Sequence, residues 1–213
     1  MPIAIDSLVM GPFQSNCYVL RSERGATEAV VVDPGDDPTP LRLELARMGT
    51  RTGGILVTHT DVDHIGGVAA LAEGTGAEVW APVREVEALR DGEPRGGMRV
   101  APHDPAHTVT GGDEITVAGI DFEVVDVPGH SAGHVAFHHE GHLFAGDLLF
   151  AGSVGRVDLE GGDWETLVAS VRALLDRFPP ETAIHPGHGP ATTLGRGLET
   201  NPFLRELRAE RQR

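Results

Sequence analysis

Residues 57–67 read VTHTDVDHIGG, which sets two His and two Asp within the six residues from His59 to His64. An apolar run, GILVT at 54–58, precedes the cluster, and the pair Gly66-Gly67 follows it. An uninterrupted apolar run of that length predicts a strand buried on both faces. The cluster then falls on the loop at the strand's end, where glycines let the backbone turn tightly. Imidazole nitrogens and carboxylate oxygens are the ligands that zinc and similar divalent ions take at about 2.0–2.2 Å. Gathering several of them from one short segment requires such a loop. The alternative is a solvated turn that holds two His by chance.

Three more segments repeat the pattern of one polar residue delivered by a strand. VPGHSAGH at 127–134 puts His130 after a Pro-Gly turn, and IHPGHGP at 184–190 does the same for His188. FAGDLLF at 144–150 sets Asp147 in an otherwise apolar run, where a carboxylate is costly to bury without a partner or an ion.

Around these segments the chain reads as strands at 3–10, 17–20 and 29–32, a helix at 40–48 and the strand at 54–58. A helix at 65–73, a strand at 78–80, a helix at 83–89 and an irregular stretch at 91–110 follow. Strands at 114–118, 122–127, 134–138 and 142–145 come next. A helix at 164–178, a strand at 182–184 and a C-terminal helix from about Pro202 complete the pattern. Strands and then a helix, given twice, predict two similar halves whose sheets face each other with helices outside. That is an α/β protein, a four-layer αβ/βα sandwich. No linker-like composition divides it, so 1–213 is expected to be one domain.

Composition narrows the function. The 213 residues carry a formal net charge of −15, and all 17 basic residues are Arg. Those Arg are spread among acids, so a phosphate-binding footprint is not expected, and no nucleic-acid partner is. The single Cys17 lies in the apolar run CYVL and reads as a buried filler, consistent with a reducing compartment. No apolar run approaches the roughly 18 residues of a membrane span. The N-terminus has neither a basic region nor a small-residue cleavage site, so a secretion signal is not expected. A soluble cytoplasmic protein is the expectation, with the oligomeric state open.

In order and spacing, His59-x-Asp61-x-Asp63-His64, Gly129-His130, Gly146-Asp147 and Gly187-His188 resemble the metal motifs of the metallo-β-lactamase superfamily. The segments GPFQSNCYVL, VVDPGD, FAGSVGR and PGHGPATTLGRGLETNPFL are more narrowly similar to the short bacterial hydroxyacylglutathione hydrolases, glyoxalase-II-like proteins without a separate C-terminal helical domain. The resemblance implies the metallo-β-lactamase fold over 1–213 and two divalent metal ions, zinc first, with iron or manganese as substitutes. It implies a first site of His59, the residue at 61 and His130, and a second of Asp63, His64 and His188, with Asp147 bridging. A metal-bound hydroxide would attack a small acyl-thiol, and Asp63 would orient that group or take its proton.

Position 61 departs from the family's His. Asp61 is shorter and negatively charged, which lowers the Lewis acidity of any ion it binds and favours harder metals. Direct ligation, ligation through water, and a weak first site dominated by the second ion all stay open. His134 and His185 read as supports of the ligands, Asp33 as a residue ordering the turn beneath the metal loop, and His138, His139 and His142 as exposed hairpin residues. His103 and His107 read as solvated loop positions. Arg156 is the candidate for a substrate carboxylate, with Phe150 and Ser153 as cleft neighbours; pairing with Asp158 or Glu160 is its alternative role.

The leading expectation is a metal-dependent thioester hydrolase. The resemblance also admits a mononuclear-iron persulfide dioxygenase using His59, His130 and Asp147, and a non-catalytic scaffold that keeps the fold. A β-lactamase is not expected, on the N-terminus.

Overall fold

The period-two alternation of the strands builds the layers. In a computed structural model describing residues 3–211, Ala29 and Val31 of the strand Glu28–Val32 point to one side, and Val30 and Val32 to the other. Cys17 and Val19 part in the same way from Tyr18 and Leu20. Both faces of these two strands are apolar, so the sheet they form must be covered on both sides.

The first sheet runs β1 (Ala4–Met10), β2 (Ser15–Arg21), β3 (Glu28–Val32), β4 (Arg51–Leu56), β5 (Val79–Pro82) and β6 (His107–Val109), in sequential spatial order. From β3 to β6 neighbouring strands are parallel. The helices α1 (Thr39–Met48), α2 (Val62–Ile65), α3 (Val68–Thr75) and α4 (Val86–Asp91) lie in the crossovers. Leu41 and Leu45 of α1 and Val68, Leu71 and Ala72 of α3 bury against the outer face of this sheet.

The second sheet contains β7 (Glu114–Val117), β8 (Ile120–Asp126), β9 (Val135–His139), β10 (His142–Gly146), β13 (Ala183–Pro186) and β14 (Thr192–Thr193), ordered β14-β13-β10-β9-β8-β7. Between β10 and β13 stand the small hairpin β11 (Leu149–Phe150) and β12 (Ser153–Val154), and then α5 (Trp164–Arg177). Asp163 caps α5 by accepting a hydrogen bond from Thr166 N at 2.8 Å. Leu167, Val171 and Leu174, spaced one turn apart, bury against the sheet's outer face. After β14 come α6 (Leu194–Thr200), a 3-10 turn at Pro202–Leu204 and α7 (Arg205–Arg211).

Between the two sheets lies a third apolar layer, with Tyr18, Leu20, Leu56, Phe122, Phe137 and Phe144 among its members. Burying each large side chain contributes about 1.5–3 kcal/mol, so this layer locks the sheets face to face. The expected four-layer αβ/βα sandwich is what the chain forms.

Some local expectations fail. The helix expected at 65–73 is two helices, broken at Gly66-Gly67. A Cβ on Gly66 would sit 3.0 Å from Asp36 Cα, and one on Gly67 3.1 Å from the Pro34 carbonyl oxygen. Gly67 N–H instead donates to Gly35 O at 2.7 Å. The close approach of the 34–36 loop thus takes the backbone bonds that would have continued the helix. The stretch 91–110 is not wholly irregular, because His107–Val109 pairs with β5 as β6. His107 stacks on Trp80 there with ring centroids 4.4 Å apart. His138, His139 and His142 are half-buried, since β9 and β10 are interior strands and only Glu140-Gly141 form the turn.

Candidate metal centre

Loops from both sheets meet at one edge of the sandwich. His59 and Asp61 follow β4, while Asp63 and His64 lie on the one-turn α2. His130 lies between β8 and β9, Asp147 follows β10, and His188 follows β13. The fold brings all seven together. One possible ligand atom each from His59, Asp61 and His130 lies within 4.8 Å of the others, and Asp63, His64 and His188 form a second such group.

The Asp147 carboxylate stands between the groups. Its Oδ1 is 3.4 Å from His64 Nε2, and its Oδ2 is 3.4 Å from His188 Nε2 and 3.7 Å from His130 Nε2. Asp63 Oδ2 lies 3.2 Å from His188 Nε2 and 3.6 Å from His64 Nε2.

The imidazoles are aimed by bonds at their far nitrogens. His64 Nδ1 lies 2.9 Å from Asp33 Oδ2, His59 Nδ1 2.9 Å from Thr58 Oγ1, and His130 Nδ1 2.8 Å from the Arg156 carbonyl oxygen. Each ring then turns Nε2 inward. His59 Nε2, His64 Nε2 and Asp147 Oδ1 are buried with no hydrogen-bond partner among the described residues. An unpaired buried polar atom costs about 1–3 kcal/mol. His64 Nε2 and Asp147 Oδ1, 3.4 Å apart amid nitrogen and oxygen donors, fit a divalent cation. The donor set does not by itself select zinc, iron or manganese.

The charges are consistent with a cation site. Burial opposes charge on Asp61, yet hydrogen bonds from His130 and Arg95 outweigh it and hold this carboxyl well below the usual range. Burial works against protonated His188 too, but the Asp147 and Asp63 carboxylates raise it to about 10. Such a raised imidazole marks a pocket of negative potential that attracts any cation.

Supporting residues take defined places. Asp33 orders its turn and also binds His64 directly, accepting from Thr58 N at 2.8 Å and Thr58 Oγ1 at 2.7 Å. His134 is buried beside His59, with ring centroids 4.8 Å apart, and neither of its nitrogens has a partner among the described residues. His185 packs flat on Phe144 at 4.7 Å and bonds His142 at 3.0 Å, so it belongs to the sheet wall. Burial lowers its pKa to about 4. Cys17 is fully buried, and burial pushes its thiol upward, which fits a filler and not a nucleophile.

The substrate candidates divide. Phe150 lies edge-on to His188, centroids 5.8 Å apart, beside the more open end of the centre. Ser153 is half-buried in the small hairpin, and its carbonyl accepts from Asn201 Nδ2 at 2.7 Å. Arg156 does not present its guanidinium to the centre. Two atoms of its fork bind Asp158 at 2.7 and 2.8 Å on the exposed surface, and only its backbone carbonyl reaches His130. A carboxylate two residues away offers bidentate geometry with almost no chain to order, which explains the outcome.

Three positioning elements were not read from sequence. Asn16 Nδ2 donates to the carbonyls of Pro186 and Gly189 at 2.9 and 2.8 Å, and Ser15 Oγ donates to Asp63 O at 2.7 Å, so β2 clamps two ligand loops. Glu85 accepts from Thr60 N at 2.8 Å, from Gly133 N at 2.9 Å and from Ser131 Oγ, which ties the His59 loop to the His130 loop. Arg95, from the stretch after α4, reaches Asp61 and His130. Only the first of these carried a visible signal, the GPFQSNCYVL segment.

A model of the metallo-β-lactamase superfamily matches residues 10–191, and the chain belongs to that superfamily. It is 31% identical to hydroxyacylglutathione hydrolase GloC of Haemophilus influenzae over 208 residues, 94% of this chain and 97% of the relative. Among solved structures it is similar to BLEG-1, a B3 metallo-β-lactamase, with TM-score 0.87 and 36% identity over 95% of this chain and all of that one. It is also similar to TTHA1623, solved in a di-iron-bound form, with TM-score 0.78 and 40% identity over 93% of this chain and all of that one. Among the described residues no helix is long and apolar enough to cross a membrane.

Proposed function

We propose that this protein is a metal-dependent thioester hydrolase acting on a small acyl-thiol, with hydroxyacylglutathione-type thioesters first among the candidates and the cytoplasm as its place of action. The observation that carries the reading is the meeting of seven His and Asp side chains, with His59 Nε2, His64 Nε2 and Asp147 Oδ1 buried and unpartnered among the described residues. The similarity to the Haemophilus influenzae hydrolase, which extends over nearly both whole chains, supports the substrate class.

When bound, a divalent ion in this superfamily's site lowers the pKa of water and polarises a carbonyl. The chain's own residues do the rest. His64, His188, Asp147 and one oxygen of Asp63 would hold the ion, and the other Asp63 oxygen would be available to take a proton. A cavity of about 670 Å³, lined by Thr60, Arg84, Arg95, Met98, Ser131 and Gly161 among others, borders the first ligand group. That volume suits a small molecule and not a polymer.

The dioxygenase reading needs His59, His130 and Asp147 open around one iron, and Arg95 occupies that side. Hydrolysis therefore stands ahead of it.

The test is thiol release from lactoylglutathione and simpler acyl-thiols by metal-replete protein, beside a chromogenic cephalosporin and oxygen uptake with a persulfide. Thioester turnover abolished by EDTA and restored by metal is the expected result. Turnover of the β-lactam or persulfide alone would overturn the assignment.

A further inference from the structure

Arg95 binds the first ligand group at its ligating atoms. Its Nη2 donates to Asp61 Oδ2 at 2.8 Å and lies 2.6 Å from His130 Nε2. Its Nε donates to the other Asp61 oxygen, and Nη1 donates to the His130 carbonyl. The guanidinium is only 10% exposed and Asp61 only 13%. This is a built contact, with both carboxylate oxygens and both polar ends of His130 engaged.

The His130 Nε2 contact decides the matter. His130 Nδ1 faces the Arg156 carbonyl at 2.8 Å, and its Nε2 lies 2.6 Å from Arg95 Nη2 and 3.1 Å from Asp61 Oδ2. An imidazole nitrogen that accepts from a guanidinium has no second lone pair for an ion. Asp61 Oδ2 accepts from the same Nη2 at 2.8 Å. The unusual residue at 61 also fits, because a carboxylate engages a guanidinium fork bidentately and an imidazole cannot.

We propose that the Arg95 guanidinium is the resident cation of the first position, so that the chain holds one divalent ion, bound by Asp63, His64, His188 and Asp147. The inference rests on the metal-dependent reading above and refines it. Arg95 also lines the 670 Å³ cavity.

The test is Zn²⁺ stoichiometry on the full chain, by calorimetric titration of EDTA-stripped protein and by elemental analysis after metal-replete expression. Wild type is expected to saturate at one ion per chain. Arg95→Ala and Arg95→Gln are expected to bind two, because His59, Asp61 and His130 are then free; the Gln variant guards against a cavity effect in the Ala one. Two ions in wild type, or one in both variants, would overturn the inference while leaving a metal hydrolase standing. No ion in wild type would overturn both readings.

Discussion

Asp33 Oδ2 lies 2.9 Å from His64 Nδ1, although the two residues are 31 positions apart. The same carboxylate receives Thr58 N–H and Thr58 Oγ–H, whose residue directly precedes His59. One buried acid thus sets the orientation of a ligand on α2 and the path of the loop carrying another.

Replacing Asp33 with Asn should weaken Zn²⁺ binding about 10–100-fold, the usual effect of losing a carboxylate behind a ligating His. Calorimetric titration of the stripped protein measures it. Unchanged affinity would mean that His64 is oriented by packing alone.

Asp147→Ala should lower Zn²⁺ affinity by more than about 100-fold, beyond the range expected for a residue that only supports a ligand. The carboxylate lies within 3.4 Å of both His64 and His188, so its loss removes an oxygen donor from between them. Full metal content and activity in this variant would refute the proposed centre.

At Gly187 a Cβ would collide with Asp147 Oδ1 and come within 2.7 Å of His64 Cε1. Gly187→Ala should therefore cost about 1–3 kcal/mol of stability through overpacking and reduce bound metal together with it. A thermal melt and metal analysis of the same sample check both. Wild-type values for each would show that the His188 loop is pliant.

Glu85 joins the His59 and His130 loops through Thr60, Ser131 and Gly133. Glu85→Ala leaves several buried donors without an acceptor, so a loss of at least about 1–3 kcal/mol is expected. Denaturant unfolding measures it. Because no ligand changes, metal affinity should fall less than in Asp147→Ala.

His185 carries a pH prediction. Burial lowers its pKa from 6.5 to about 4, so between those values the unfolded chain binds the extra proton. Its contribution to stability is complete above about pH 6.5 and is lost as pH falls through 6.5 toward 4. The loss has an upper bound of about 3.5 kcal/mol, at about 1.4 kcal/mol per pKa unit. Wild type should lose more stability than His185→Phe between pH 7 and 4.5 in urea unfolding. Parallel pH profiles would remove His185 as the cause.

Much of the centre is legible in the sequence because a buried strand ends where its ligand begins. GILVT before His59, the Pro-Gly turns before His130 and His188, and an acid inside FAGDLLF are local patterns that short-range physics produces. Arg156 shows the limit of that reading. A guanidinium near the centre in sequence was captured by Asp158 two residues on, and no pattern in FAGSVGR reveals it.

The sequence alone determined the layered α/β plan, through period-two apolar strands, and nominated the His and Asp residues of the centre. Tertiary structure alone decided how those residues are held. Asp33 on His64, Asn16 beneath the His188 loop and Glu85 across two loops join positions 25 to 173 residues apart. Arg95 is the clearest case. It lies 34 positions from Asp61 in a Gly-rich stretch without periodicity, and only the folding of the two sheets brings its charge to the first ligand group. A hydrogen bond depends on proximity in space, and nothing in the spacing along the chain encodes that meeting.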